Sequence, residues 1–355
     1  MKVLAIETSC DETGAAVLEL KDSKVKILSN LLATSSDLHA KTGGIIPENA
    51  AREQVHFIMP LIIEALLIAE ENPIKSRKEN FTLAKNILKE KIDAIAVTYG
   101  PGLIGSLLVG VETAKTLSFA FNKPLIPVNH LLGHVFSNFA DKNLNEIEFP
   151  AIALIVSGGH TDLLYFENIH KYKWLGGTYD DAAGEAMDKI GRLLGLAYPA
   201  GAEIEMRAKK AKDKKLRFTS PVINSDDLNF SFSGLKAEVS RFISSNNIDE
   251  ELKNEVCAAT QKAIIDVLVK KTVRAVKLYK APTILLGGGV SANQKLRKQL
   301  ENEIKNLQLH VKLFAPTKDL CTDNAAMIGA YGLLAGSTSP WEKIEAKPDL
   351  YFAST

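Results

Sequence analysis

Two histidines stand four residues apart in VNHLLGHVFSNF, residues 128–139, at His130 and His134. On a helix, positions i and i+4 share a face with Cβ atoms about 5–6 Å apart, a separation at which two imidazoles can bind one ion. Leu131, Leu132, Val135, Phe136 and Phe139 give the same helix an apolar side. The pair is therefore either a metal-binding edge or two ordinary polar residues on a helix rim. Leu131 stands where HExxH would place its glutamate, so the general base of a zinc protease is missing. A third ligand has to come from elsewhere. Asp323 in CTDNAAMIGAYG is the best candidate, although an aspartate before an apolar helix also reads as an N-cap. Cys321 is a soft ligand by type, but a small buried residue is the preferred reading.

A second chemistry is written in small-residue turns. KVLAIET and GAAVLEL flank SCDET, a hairpin tip rich in hydroxyls and acids, and FPAIALIVSGGHTDLLYFEN repeats the plan with Ser157, Gly158 and Gly159 in its turn. A third apolar strand ends at Gly287, Gly288 and Gly289 and leads into a helix. Backbone N–H groups in such turns point at phosphate oxygens, and glycine lets a ligand approach the chain closely. Two of these loops facing each other, with the third opening a helix, would clamp a nucleotide. Neither a Walker A lysine motif nor GxGxxG follows the first strand, which disfavours P-loop and dinucleotide folds. Any one glycine run is explained as a tight turn; three at strand ends favour a ligand cleft.

These residues need a scaffold. The chain has 355 residues, 46% hydrophobic and 24% charged, enough for one large core or two medium ones, with two lobes expected. Strands alternate with helical stretches at PENAAREQVHFIMPLIIEALLIAE, GSLLVGVETAKTLSFAFN and NEVCAATQKAIIDVLVKKTVRAVKLY, which argues for α/β lobes. The polar, lysine-rich segment 71–91 reads as a solvated insert. MRAKKAKDKKLRF, with cations from Lys209 to Arg217, reads as a solvated helix face, with contact to an RNA backbone as the alternative. A formal charge of +1 excludes a histone-like basic chain. Three widely spaced cysteines, Cys10, Cys257 and Cys321, support neither a disulfide framework nor a CxxC zinc site, and fit a reducing compartment. No presequence pattern and no run of about 20 apolar residues is visible, so a cytoplasmic chain that does not span a membrane is expected.

Nine elements in order, IETSCDETGAAV, LHAKTGGIIPENAAREQVH, TYGPGLIGSLLVG, NHLLGH, LIVSGGHTDL, DDAAGEAMDKIGRLLGL, NFSFSGLK, GGGVSANQKLR and CTDNAAMIG, resemble the TsaD/Kae/Gcp family across essentially the whole chain. SFSGLK is more similar to the bacterial and organellar branch. The resemblance implies a two-lobed actin/hexokinase-like (ASKHA) α/β fold, each lobe built on an RNase H-like mixed sheet with helices. The expected lobes are residues 1–149 plus 324–355 and residues 150–323, with the nucleotide and metal site in the cleft between them. The implied reaction moves threonylcarbamoyl from threonylcarbamoyl-adenylate to the N6 amine of the adenosine 3′ of the anticodon in ANN-decoding tRNAs, releasing AMP.

Carried over by position, His130, His134 and Asp323 match the family's metal ligands, with Fe2+ favoured and Zn2+ the alternative. Ile155, Val156, Ser157, Gly158 and Gly159 match a substrate-contacting loop, and Asp188, Gly201, Glu205 and Asn293 match further adenylate-binding positions, the same cleft taking ATP or AMP. By fold analogy Ser9 joins the substrate-binding set, and Asp11 and Glu12 are catalytic candidates. Ala200 replaces a glycine of the family pattern, and Asn129 and Leu132 stand where His and Glu are common. The family implies tRNA, a TsaB-like paralogue docking on residues 47–70 and a TsaE-like ATPase as partners, in a bacterial cytoplasm or an organellar matrix. An actin- or sugar-kinase-like ATPase would explain the glycine loops and leave the histidines idle. A metallo-endopeptidase would explain the histidines alone.

Overall fold

The computed structural model describes residues 1–34, 46–213 and 215–352. The first part of LHAKTGGIIPENAAREQVH, residues 38–45, and Lys214 of the basic stretch lie outside the described residues. Contacts divide the described residues into two units, 1–147 with 318–352, and 148–317. The segment 318–323, expected with the second lobe, thus belongs to the first unit. Leu320 and Cys321 are buried there, which ties the segment down ahead of the helix that follows.

The first unit is a five-stranded sheet in the order β3-β2-β1-β4-β5. Strands β1 (Lys2–Glu7), β2 (Glu12–Lys21) and β3 (Lys24–Thr34) form an antiparallel meander, while β4 (Ala94–Gly100) and β5 (Leu125–Asn129) run parallel to β1. Its helices are α1 (Pro47–Ala69), α2 (Arg77–Glu90), α3 (Ile104–Phe121), α4 (His130–Phe136) and, from the C-terminal segment, α10 (Ala325–Leu334). Residues 77–90 were expected to be a solvated insert and are a helix. Ser76 and Glu79 close a capping box, and Ala84, Ile87 and Leu88 form an apolar stripe among the lysines that packs in the core with α1. Helix α3 is long and apolar enough to cross a membrane by length and composition alone. Here Val111, Ala114 and Leu117 sit in the core and Glu112 pairs with Lys115, so it acts as a core helix.

The second unit repeats the plan. β6 (Ala151–Val156), β7 (Thr161–Asn168) and β8 (Lys171–Gly177) form the meander, and β9 (Thr283–Gly287) and β10 (Lys312–Phe314) run parallel to β6. The order β10-β9-β6-β7-β8 mirrors that of the first sheet. Helices α5 (Ala183–Leu193), α6 (Gly201–Lys210), α7 (Ser233–Ser244), α8 (Glu250–Tyr279) and α9 (Gln294–Asn306) complete it. The strand–turn–strand device legible twice in the sequence is the β1–β2 and β6–β7 pair of equivalent hairpins. In the basic stretch Lys209 pairs with Glu205, Lys215 with Asp213 and Lys212 with Glu251 of α8, as cations on a solvated face would.

Candidate metal centre

Strand β5 delivers the histidines. At its end the Asn129 side chain accepts the N–H groups of Leu131 and Leu132, at 2.9 and 3.3 Å, and starts α4 at His130. The departure from the family pattern at Asn129 is thus a good N-cap. All seven residues of α4 are buried, with His130 7% and His134 1% exposed, so the histidines do not line a helix rim. A Cβ on Gly133 would lie 2.8 Å from Ile328 Cδ1, so glycine is what lets α10 approach α4 this closely. Asn324, not Asp323, caps α10, accepting the Met327 N–H at 3.0 Å. Asp323 is therefore spared for the histidines.

Nε2 of His134 and Nε2 of His130 lie 3.2 and 3.5 Å from the same oxygen, Asp323 Oδ1. The ring centroids are 4.7 Å apart at 76°, and the potential ligand atoms of all three residues fall within 4.8 Å of one another. Two ligands each about 2.0–2.2 Å from one tetrahedral ion stand roughly 3.3–3.5 Å apart, so these spacings suit a single ion. Both ring nitrogens of His134 are buried without a hydrogen bond, a cost that a ligated nitrogen does not carry. Two imidazoles and a carboxylate suit Fe2+ and Zn2+ alike. Cys321 is buried but is no part of the group.

Acids crowd the same place. Burial opposes the charged form of His130, yet the carboxylates of Asp323 and Glu7 overcome it and hold the imidazole up at about 9. Burial pushes the Glu12 carboxyl well above the ordinary range, and the negative charges of Asp323, Asp11 and Glu7 push it further. A cation among these groups would relieve that repulsion. The Cys10 thiol is driven up by burial and by the same acids, which disfavours its thiolate form. The loop carrying Cys10, Asp11 and Glu12 is clamped from α1, where the buried Gln54 amide donates to Cys10 O at 3.0 Å and Glu12 O at 2.8 Å. Ser9 is buried, its N–H donating to Glu7 Oε1 at 2.6 Å and its hydroxyl without a hydrogen bond. Neither Glu7 nor Gln54 was singled out by sequence reasoning. An apolar strand ending in glutamate was the only available signal for Glu7, and Gln54 sat unmarked on a helix read for its apolar residues.

The second unit gathers the remaining expected residues around its own loop. Ser157 O accepts the Gly184 N–H at 3.1 Å, which joins the Ser157–Gly159 turn to the start of α5. Nothing lies within 4 Å of where Cβ atoms on Gly158 and Gly159 would stand, so the turn faces open space. Gly288, at φ +87°, brings the third glycine run against this turn; its Cβ would lie 2.4 Å from Val156 O. One turn along α5, Asp188 accepts the Ala200 N–H at 2.7 Å and holds the start of α6 at Gly201. Burial raises the Asp188 carboxyl while the Ala200 and Gly201 N–H groups pull it back. Ala200 packs where a Cβ on Gly191 would meet it at 2.2 Å, so this substitution in the family pattern is accommodated. Glu205, one turn into α6, accepts the Gln294 N–H at 3.3 Å, and Asn293 caps α9 through Lys295 and Leu296. Asp188, Glu205 and Asn293 therefore each hold backbone in the structure.

Residues 26–330 match the family model described as TsaD, tRNA N6-adenosine threonylcarbamoyltransferase. Curated proteins named tRNA N6-adenosine threonylcarbamoyltransferase are similar over nearly their full length. The one from Thermosipho africanus is 43% identical, covering 99% of each chain. Those from Ligilactobacillus salivarius and Streptococcus pneumoniae are 44% and 43% identical, covering 94% and 99% of this chain and 91% and 97% of theirs. Among solved structures, HypF from T. kodakarensis shares the fold at TM-score 0.58 and 15% identity, over 94% of this chain and 47% of that one.

Proposed function

The chain belongs to the TsaD family of tRNA N6-adenosine threonylcarbamoyltransferases, and on that premise we propose that it transfers threonylcarbamoyl from threonylcarbamoyl-adenylate to the N6 amine of the adenosine 3′ of the anticodon in ANN-decoding tRNAs. It is a transferase acting in tRNA modification, with an ASKHA-like fold. The observation that carries the finer reading is the convergence of His130, His134 and Asp323 on one point. In the reaction a C–N bond forms between N6 and the carbamoyl carbon, the C–O bond to the adenylate phosphate breaks, and AMP leaves with the electron pair.

His130 Nε2, His134 Nε2 and Asp323 would hold one divalent ion, Fe2+ in preference to Zn2+, and the chemistry such an ion supplies is Lewis-acid polarisation of the carbamoyl carbonyl. The carboxyl groups of Asp11 and Glu12, on the loop after β1, are the candidate acceptors for the N6 proton. The Ser157–Gly159 turn takes the phosphate on its backbone, with Ile155 and Val156 leading into it. Asp188, Gly201, Glu205 and Asn293 bind the adenylate of the donor, or AMP and ATP, and the Ser9 hydroxyl contributes a further hydrogen bond.

Helices α1 and α3 are the proposed docking face for a TsaB-like paralogue, with a TsaE-like ATPase joining the assembly. They touch at Ala51 and Gly105 and leave Val55, Phe57, Met59, Ile104 and Leu108 exposed, more apolar surface than scattered single residues would give. Three free cysteines fit a cytoplasmic setting.

The test is nucleoside mass spectrometry on unmodified tRNA incubated with ATP, threonine, bicarbonate, the adenylate-forming enzyme, the two partners and this protein. Wild type should form threonylcarbamoyladenosine and His134→Ala should not. Equal product from both would overturn the ligand assignment. No product from either, with partners proven on another transferase, would overturn the reaction.

A further inference from the structure

Glu7 ends β1 with its side chain fully buried, and a buried carboxylate costs several kcal/mol unless its oxygens are satisfied. Its Oε1 accepts the Ser9 N–H at 2.6 Å, and its Oε2 accepts the Thr98 hydroxyl and faces His130 Nδ1 at 3.3 Å. Parallel pairing explains how these residues meet. Ile6 stands opposite Val97, which sets Glu7 beside Thr98, and β5 on the far side of β4 ends at Asn129, which hands the chain to His130. Thr98 near the end of β4 and His130 just after β5 therefore both meet the carboxylate of Glu7 at the end of β1.

The two histidines differ in this respect. Neither ring nitrogen of His134 has a hydrogen bond, whereas His130 has the Glu7 carboxylate at its Nδ1; the Nε2 atoms of His134 and His130 both face Asp323 Oδ1, at 3.2 and 3.5 Å. An imidazole whose Nδ1–H is donated to a carboxylate keeps its Nε2 lone pair for a metal and becomes a better ligand. We propose that Glu7 is a positioning residue for the metal centre: through Oε2 it fixes His130 as the tautomer with Nδ1–H, aims Nε2 at the ion, and adds negative charge behind the ring. Thr98 holds the same carboxylate in place from the adjacent strand. This rests on the reading of His130 as a ligand. A purely structural Glu7, present only to tether Ser9 and Thr98, would alter folding and leave metal affinity alone.

The test uses the full-length metal-free protein and Zn2+, with affinity read by chelator competition and folding by thermal unfolding. Glu7→Gln keeps the shape but loses the charge, and it should weaken Zn2+ binding by about 10–100-fold, the range for a carboxylate behind a ligating histidine. His134→Ala is the reference and should abolish tight binding. If His134→Ala loses Zn2+ while Glu7→Gln binds like wild type, the role of Glu7 is overturned and the metal centre stands. If His134→Ala binds like wild type, the metal centre falls and this inference with it. Should Glu7→Gln fail to fold, Zn2+-loaded wild type labelled with 15N-histidine decides. A slowly exchanging His130 Nδ1–H coupled to a metal-bound Nε2 is expected, and a proton on Nε2 would overturn the proposal.

Discussion

Replacing Gly288 by alanine tests the second unit's loop apart from the metal centre. At φ +87° an L side chain is strained by about 1–3 kcal/mol. The new Cβ would also stand 2.4 Å from Val156 O and 2.7 Å from Val156 C, both backbone atoms that cannot rotate away. Relief requires moving β6 or the start of the glycine turn, an overpacking cost of about 1–3 kcal/mol more. The sum, about 2–6 kcal/mol, corresponds to a fall in Tm of roughly 4–24 °C at 2–4 °C per kcal/mol. Val156 leads directly into Ser157–Gly159, so the surviving folded protein carries a displaced turn at the site proposed for the phosphate. Misplacement by about 1 Å can cost on the order of 100-fold in rate. Differential scanning fluorimetry and single-turnover nucleoside analysis should both register the change. Zn2+ affinity measured well below the Tm should stay at the wild-type value, because His130, His134 and Asp323 all belong to the first unit. Wild-type turnover with a Tm lowered as expected would refute the role given to this turn. An unchanged Tm would refute the packing argument itself.

Three further outcomes follow from named contacts. Gln54→Ala strips the clamp from Cys10 O and Glu12 O, a loss of about 1–3 kcal/mol, and should lower transfer while Zn2+ affinity, measured by chelator competition, holds. Wild-type turnover would show that the clamp does not position Glu12. Lys271, 1% exposed, bonds to Ser225 and Asp227; burial works against the Asp227 carboxylate, but Lys271, the Asn229 N–H and the Ser225 hydroxyl hold its pKa below the usual range. A depressed folded value stabilises above the unfolded value of about 3.9 and is lost as pH falls through the folded one, so the stability gap between wild type and Lys271→Met in urea should shrink at acid pH. A gap that stays constant with pH would show that the pair contributes nothing through charge. Val55→Asp combined with Leu108→Asp changes two side chains that are 61% and 44% exposed, so Tm should hold while co-elution with a TsaB-like partner on size exclusion is lost. Retained co-elution would move the docking face elsewhere.

What was legible in the sequence was local. Helical spacing alone brings His130 and His134 to one face, because i and i+4 are neighbours on any α-helix. Glycine runs at strand ends mark turns whatever the fold around them, and alternating apolar segments marked the repeated hairpins. Sequence reasoning missed the helix at Arg77–Glu90, since its apolar stripe is three residues hidden among lysines and only packing against α1 gives them a purpose. It could not choose between ligand and N-cap for Asp323, because both readings fit an aspartate before an apolar helix. Tertiary structure removed the cap reading by giving the cap to Asn324, and placed Asp323 beside the two histidines as α10 closes on α4 at Gly133. The same holds for Glu7 and Gln54, ordinary residues on a strand and a helix until β1 pairs with β4 and α1 packs over the first hairpin. Local spacing is set by covalent geometry, which the sequence contains outright. Contacts between distant residues depend on which surfaces bury one another, and that is decided only once the sheet is assembled and its helices have packed.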